Sequence, residues 1–163
     1  MSEDGRTAAQ DTAMSEDRGR GRILIVDDDP LIRDCLAAAL SDEGYETITA
    51  PHGAAALELL SHYPRFHRPP AVILLDMRMP VMDGWAFAEA YRRLPEPHAP
   101  IVVLTAAQDG AKGAIEIGAY AAVAKPFDLD GLLAVIDECL QRDDGTGGLL
   151  PTSADYLPCH ARR

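Results

Sequence analysis

The stretch VILLDMRMPVMDG, residues 72–84, decides the fold prediction because it joins an apolar run to an acid and a tight loop. Its first four residues, Val72 to Leu75, are continuously apolar rather than alternating. Such a run is typical of a strand that is covered on both faces, as strands in parallel sheets are. Asp76 follows directly, so it is predicted either to end the strand as a turn residue or to be a reactive group at the carboxyl edge of a sheet.

Strand-like and helix-like patterns alternate five times along the chain. Strands are predicted at 22–26, 45–49, 72–75, 101–104 and 120–124, and helices at 30–43, 53–63, 85–94, 109–117 and 129–141. Pro30 begins the first helix and Gly44 stands where a helix commonly ends. Alternation with short connections predicts an α/β fold, with a parallel sheet, helices on both faces and right-handed crossovers. In such folds the functional site lies beyond the carboxyl ends of the strands.

Polar residues follow four of the five predicted strands. They are Asp27, Asp28 and Asp29 after the first strand, Asp76 after the third, Thr105 after the fourth and Lys125 after the fifth. Singly, each has an ordinary explanation: an Asp before Pro30 suits a helix N-cap, and a hydroxyl or an ammonium at a strand end is common. Their joint placement at one edge of the sheet favours a functional site instead.

The residue types at this edge are suited to phosphoryl chemistry. Crowded carboxylates repel one another, and a hard divalent cation with oxygen ligands and retained waters neutralises them, which predicts Mg²⁺. Lys125 adds a second, fixed positive charge. With Asp76 attacking phosphorus, the metal, Lys125 and Thr105 can hold the equatorial oxygens, so the predicted product is a labile acyl phosphate.

From Ile23 to about Leu140 the chain resembles the receiver domains of two-component response regulators. The motifs that carry the resemblance are ILIVDDDP, VILLDMRMPVMDG, IVVLTA and AKPF, in this order and spacing. The resemblance implies the flavodoxin-like, doubly wound fold of the chemotaxis regulator, with a five-stranded parallel sheet in the order 2-1-3-4-5.

The same resemblance implies roles for the site residues. Asp76 is expected to be the phosphoacceptor, with Thr105 turning toward the phosphoryl group and Lys125 binding it. The protein is expected to assist its own phosphorylation and dephosphorylation without being an enzyme. The Lys125–Pro126 bond is expected to be cis, as is usual in the family. Asp29 is expected to cap a helix rather than to bind metal.

The metal site implied by the resemblance uses four residues. Asp28, Asp76 and the backbone carbonyl of Arg78 are expected to bind Mg²⁺ directly, and Asp27 mainly through water. No other cofactor is implied.

One position departs from the family pattern. Receivers usually carry Tyr, Phe or His three residues before the Lys, and this chain has Ala122 there. Tyr120 lies two residues earlier, on the same strand face if the period of two continues. The phosphorylation chemistry is unaffected, whereas the usual coupling to an output surface is in doubt.

Composition excludes several function classes. A net charge of −11 argues against nucleic-acid binding, which needs clustered Lys and Arg. The chain has no apolar run of membrane-spanning length and no apolar signal region near its start, so a soluble, cytoplasmic protein without membrane contact is predicted. The three cysteines form no framework, and Cys35 and Cys139 are predicted to be small core residues.

The predicted organisation is a disordered extension at 1–21, a receiver domain at 22–142 and a flexible tail at 143–163. We expect a stand-alone, single-domain regulator, monomeric or weakly dimeric. It is expected to take its phosphoryl group from a sensor histidine kinase or a phosphotransfer protein. By the resemblance, a downstream protein partner binds the surface at about Asp109 to Gln141.

Two other hypotheses remain open at this stage. Asp27 and Asp29 fit the Asp-x-Asp spacing of haloacid-dehalogenase-type phosphatases, although Pro30 does not continue that motif and Asp76 is then unexplained. A receiver-shaped scaffold that acts without phosphorylation is the other hypothesis, and Ala122 motivates it.

Overall fold

The structure is a computed structural model that describes residues 19–62, 70–95, 97–105, 110–142 and 156–158. Its strands are β1 (Arg22–Val26), β2 (Glu46–Ala50), β3 (Val72–Asp76), β4 (Ile101–Thr105), β5 (Ala121–Ala124) and β6 (Tyr156–Pro158). Its helices are α1 (Pro30–Asp42), α2 (Gly53–His62), α3 (Gly84–Arg92), α4 (Gly110–Glu116) and α5 (Leu129–Arg142). Residues 1–18 and most of 143–163 lie outside the described residues, so the predictions of a disordered extension and a flexible tail stay predictions.

The strands form one sheet in the order β2-β1-β3-β4-β5-β6. The first five are parallel to one another, which confirms the predicted order and the flavodoxin-like fold. β6, which was not predicted from the sequence, runs antiparallel to β5 with Leu157 opposite Ala122. Three residues of the predicted tail therefore extend the sheet at its β5 edge.

Apolar side chains fill both faces of the sheet because β1, β3 and β4 are covered on both sides. On one face Ile25 and Leu74 pack with Leu36 of α1 and Ile136 of α5. On the other face the core includes side chains from three helices, namely Ala56 of α2, Phe87 of α3 and Ala114 of α4. The continuous apolar runs of the sequence thus correspond to strands between two helical layers.

Local signals fix the ends of α1. Asp29 is the N-cap, since its carboxylate accepts a hydrogen bond from the Leu31 N–H at 2.9 Å, and this confirms its predicted capping role. Gly44 follows the helix with a φ of 92°, a conformation that glycine adopts without strain. Cys139 is buried as predicted, but the prediction for Cys35 is wrong, because it lies on the exposed side of α1. The core-facing side of this helix runs through Leu36 and Leu40 instead.

Candidate functional site

The parallel register brings the predicted site residues to one edge of the sheet. Val26 lies beside Leu75, so Asp27 follows β1 next to the end of β3, where Asp76 is the last residue. Thr105 ends β4, and its carbonyl accepts a hydrogen bond from the Lys125 N–H at 2.6 Å. Four neighbouring strands thus deliver their polar residues to one cleft.

The acidic group of the cleft consists of Asp27, Asp28 and Asp76. One carboxylate oxygen from each lies within 4.8 Å of the others. Asp27 and Asp76 are buried, whereas Asp28 is exposed. Three carboxylate oxygens that converge on one point, with an opening to water on the Asp28 side, suit a hard cation such as Mg²⁺ that retains water ligands. The structure therefore brings together the three acids predicted to bind metal, while the predicted role of the Arg78 carbonyl stays a prediction.

Lys125 reaches into this acidic group from the loop after β5. Its Nζ lies 2.8 Å from Asp27 Oδ2 and 3.8 Å from Asp76 Oδ2. The ammonium therefore makes its close ion pair with Asp27, and it stands near Asp76 without a hydrogen bond to it. The Lys125–Pro126 peptide bond is cis, as the sequence analysis predicted.

Asp27 is anchored by the backbone as well as by Lys125. Its Oδ1 accepts a hydrogen bond from the Asp29 N–H at 2.9 Å. Its backbone carbonyl accepts one from the Arg33 guanidinium at 2.7 Å. Because both oxygens of this buried carboxylate are engaged, Asp27 has less freedom to act as a direct ligand than the exposed Asp28 has.

The carboxyl group of Asp76 has an unusual proton affinity. Burial is the main cause that raises its pKa from 3.8 to about 6, and the negative charges of Asp27 and Asp28 raise it further. The Lys125 ammonium and the Arg78 N–H, which donates to Asp76 Oδ1 at 3.3 Å, lower the pKa in opposition. A carboxylate with a raised pKa is a better nucleophile than an ordinary one, and at pH 7 it is still largely ionised.

The loop after Asp76 is held in place by close backbone contacts. The Gly84 N–H donates to the Met77 carbonyl at 2.9 Å, and a Cβ on Gly84 would lie 2.9 Å from Met77 Cα. Val81, at a φ of 67°, is in the left-handed region, which is strained for a β-branched residue. Asp83 then caps α3 by accepting from the Ala86 N–H at 2.9 Å. No role was predicted for these residues from the sequence, although an Asp directly before the first residue of a helix, as Asp83 is before Gly84, is a common N-cap.

An open cleft of about 500 Å³ adjoins the acidic group. Asp28, Met77, Arg78, Pro80, Asp83 and Trp85 contribute to its walls. From the sequence, Trp85 was placed only at the start of a predicted helix, with no site role.

Ala122 and Tyr120, the two residues considered for the usual aromatic position, lie on opposite sides of the sheet. Ala122 is buried and packs in the core on the α3 and α4 side of the sheet. Tyr120 packs on the opposite side, with Ala121 and Val123, so the prediction that it shares a face with Ala122 is wrong. The reason is that β5 begins at Ala121, and the strand period does not extend back to Tyr120.

Within the described parts of the chain, no helix combines the length and the apolarity that crossing a membrane requires.

The chain belongs to the response regulator receiver domain family, whose family model matches residues 23–137. It is similar to the regulatory protein AtoC of Escherichia coli, with 39% identity over 122 residues that cover 74% of this chain and 25% of AtoC. It is also similar to the response regulator MprA of Mycolicibacterium vanbaalenii, with 38% identity over 131 residues that cover 77% of this chain and 54% of MprA.

Among solved structures, the chemotaxis response regulator CheY4 of Vibrio cholerae matches with a TM-score of 0.61 and 31% identity, over 74% of this chain and 96% of CheY4. The chain spans about a quarter of the length of AtoC and of the E. coli regulator NtrC. Family membership places the chain in two-component signalling and supports a phosphoacceptor role.

Proposed function

We propose that this chain accepts a phosphoryl group on Asp76. The observation that carries the proposal is the placement of the Lys125 ammonium 3.8 Å from Asp76 Oδ2, within a group of three carboxylates. A nucleophilic carboxylate with a fixed cation and a metal-binding group beside it is what phosphoryl transfer to an acid requires.

The proposed donor is a phosphohistidine of a sensor kinase or a phosphotransfer protein. An oxygen of Asp76 attacks phosphorus, the P–N bond breaks with its electron pair going to nitrogen, and the donor leaves as neutral imidazole because its ring is protonated by solvent. Lys125 stabilises the negative charge on the equatorial oxygens, and the Thr105 hydroxyl, at the end of the adjacent strand, donates to the same group. Asp27 holds Lys125 in place through the 2.8 Å ion pair.

Asp28 and Asp76, with Asp27 behind them, are the residues that would hold Mg²⁺. When bound, the ion would offset the mutual repulsion of the carboxylates and the negative charge of the incoming phosphoryl group. The acyl phosphate is then hydrolysed within the same site, so the protein assists its own dephosphorylation but acts on no other substrate.

The wider role rests on family membership. We propose that phosphorylation changes contacts with a downstream protein along α4, β5 and α5, within the predicted surface from Asp109 to Gln141. The predictions of a monomer or weak dimer and of a cytoplasmic location remain part of this proposal. Size-exclusion chromatography with light scattering, with and without beryllofluoride, tests the oligomeric state.

Labelling with acetyl phosphate tests the proposed acceptor. We expect the full chain to form an acid-stable, hydroxylamine-labile phosphoprotein in Mg²⁺ but not in EDTA. Asp76→Asn should abolish the label, while Asp34→Asn, a change at an exposed acid of α1, should leave it intact. A label that persists in Asp76→Asn and disappears in Asp27→Asn would instead favour the phosphatase hypothesis.

The scaffold hypothesis makes a different prediction. If the chain acts without phosphate, beryllofluoride with Mg²⁺ leaves its affinity for a captured partner unchanged. If the chain is a phosphorylation-dependent switch, its affinity for the partner must differ between the free protein and the protein with beryllofluoride and Mg²⁺.

A further inference from the structure

Trp85 connects the phosphoacceptor cleft to helix α4. It is the only tryptophan of the chain and lies in the first turn of α3, where it lines the cleft beside Asp28 and Arg78. Its indole Nε1 donates a hydrogen bond to Glu116 Oε2 at 3.0 Å, and Glu116 is the last residue of α4. The residue is 39% exposed, so Trp85 is partly open to water while its indole is hydrogen-bonded to α4.

The contacts between Asp76 and α4 are continuous and close. A Cβ on Gly84 would lie 2.6 Å from Met77 Sδ and 3.0 Å from the Asp76 carbonyl oxygen, so the start of α3 rests directly on the end of β3. A Cβ on Gly113 would lie 3.0 Å from Trp85 Cζ2 and 3.4 Å from Met77 Cε. The absence of a side chain on Gly113 therefore lets both the indole and the Met77 side chain pack against α4.

Phosphorylation of Asp76 is expected to disturb the contacts that run from Asp76 through Met77 and Trp85 to α4. An acyl phosphate at Asp76 carries roughly two negative charges and three terminal acceptor oxygens in place of the single charge of the carboxylate. Asp76 Oδ1, which accepts from the Arg78 N–H, belongs to the group that becomes an acyl phosphate, so the strength of this hydrogen bond changes, and Met77 lies between the two residues in the chain. Densely packed groups do not deform continuously, so a shift of this backbone displaces the side chains resting on it.

Among the described residues of β5, the usual position of the aromatic side chain offers no equivalent element. Ala122, on β5, is buried and carries only a methyl group, which has no rotamer to exchange. Trp85, by contrast, is a large side chain that lines the cleft and donates a hydrogen bond to Glu116 of α4.

We propose that Trp85 is a positioning residue that couples the state of Asp76 to α4 through its hydrogen bond to Glu116 and its packing on Gly113. The proposal rests on the proposed phosphoacceptor function. The helix it moves presents Ile115, which is 52% exposed, so a shift of α4 changes an apolar surface that a partner protein can read.

Fluorescence of the single tryptophan tests the coupling in the full chain. Beryllofluoride with Mg²⁺ serves as the phosphoryl mimic, and ¹⁹F NMR measures its binding independently. We expect the Trp85 emission to change in intensity or wavelength with the same saturation curve as the ¹⁹F signal. Sodium fluoride with Mg²⁺ alone should leave the emission unaffected.

Variants of Glu116 separate coupling from packing. Glu116→Ala removes the acceptor, so we expect the beryllofluoride-induced emission change to fall and the affinity for the mimic to shift by up to about fivefold, because coupling between two sites is reciprocal. Glu116→Gln keeps an acceptor oxygen and should restore most of the response. Glu89→Ala, at an exposed residue on α3 that pairs only with Arg93 among the described contacts, is the matched control and should behave as wild type.

The outcomes distinguish the two proposals. Beryllofluoride binding with an unchanged Trp85 emission, or with a response that Glu116→Ala leaves intact, overturns the coupling while the phosphoacceptor function stands. No beryllofluoride binding by ¹⁹F NMR overturns both. Urea denaturation of each variant establishes that the comparison is made between folded proteins.

Discussion

Replacing Asp76 by Asn should stabilise the metal-free protein at neutral pH. The wild-type carboxylate is buried among two further acids, and folding raises its pKa from 3.8 to about 6. The ionised carboxylate of Asp76 therefore lowers the free energy of unfolding, because its negative charge is less favourable in the folded protein than in the unfolded chain. Asn has nearly the same shape, keeps an oxygen that can accept from the Arg78 N–H, and carries no charge.

The size of the effect follows from the two pKa values. The interval between 3.8 and about 6, at about 1.4 kcal/mol per pH unit, corresponds to an upper limit of about 3 kcal/mol. Asp76 borders an open cleft and loses the attraction of Lys125 when it is neutralised, so we expect about 1–3 kcal/mol in favour of Asn.

The pH dependence has a definite sign. Below 3.8 the carboxyl group is protonated in both states, and its destabilising effect is absent. Between 3.8 and about 6 the folded state holds a proton that the unfolded chain releases, so the wild type loses stability relative to Asn as the pH rises. Above about 6 the group is ionised in both states, and the full difference is present.

Urea denaturation in EDTA at several pH values, followed by circular dichroism, measures this difference. We expect Asp76→Asn to have the higher midpoint near pH 7 and to match wild type near pH 4, while the exposed control Asp34→Asn stays within about 0.5 kcal/mol of wild type throughout. Mg²⁺ should stabilise the wild type more than Asp76→Asn. Equal midpoints near neutral pH, or a difference that does not vary with pH, would refute the account of Asp76.

Three further predictions follow from the contacts. Lys125→Ala removes the ion-pair partner of the buried Asp27 carboxylate, so it should lower the free energy of unfolding by about 3–5 kcal/mol in urea titrations. The same change should slow acetyl phosphate labelling. An unaltered labelling rate would exclude a role for the ammonium. The double variant A122C/L157C should form a disulfide, because the two positions are register partners in β5 and β6. The native cysteines are first replaced by serine, and the disulfide is detected by mass spectrometry after proteolysis. Failure to cross-link under mild oxidation would contradict the pairing of β6 with β5. Gly84→Ala brings a methyl group 2.9 Å from backbone and should lower stability by about 1–3 kcal/mol, and a neutral effect in thermal melts would mean that the loop yields.

Much of this site could be predicted because its residues occupy strand ends. Continuous apolar runs specify strands buried on both faces, and in a parallel sheet the residues that follow such strands meet at one edge. That logic alone brought Asp27, Asp76, Thr105 and Lys125 together. Asp29 could be predicted as a cap because Pro30 follows it at the first position of a helix.

Other features depend on tertiary contacts that leave little trace in local sequence. Lys125 Nζ lies closer to Asp27 than to Asp76, and this difference depends on side-chain geometry within the cleft. Tyr120 was misplaced because it precedes β5, which begins at Ala121, so the alternation of faces along the strand does not apply to it. Cys35 was misplaced because the predicted apolar stripe of α1 was too wide: the buried side runs through Leu36 and Leu40, and Cys35 lies outside it.

β6 could not be predicted for a different reason. Three residues in a segment rich in Gly, Pro and Ser carry too short a pattern to mark a strand. Its position follows from the edge of β5, whose backbone groups are available for pairing with another strand.

The central claim is that Asp76 carries the phosphoryl group, and chemical trapping of the acyl phosphate tests it most directly. The full chain is treated with acetyl phosphate and Mg²⁺ and then reduced with borohydride, which converts an aspartyl phosphate to homoserine, and peptide mass spectrometry locates the product. We predict homoserine at position 76 and none at the neighbouring acids Asp27 and Asp28. Homoserine at either of those acids, or unmodified aspartate at position 76 in a protein that carries label, would contradict the account.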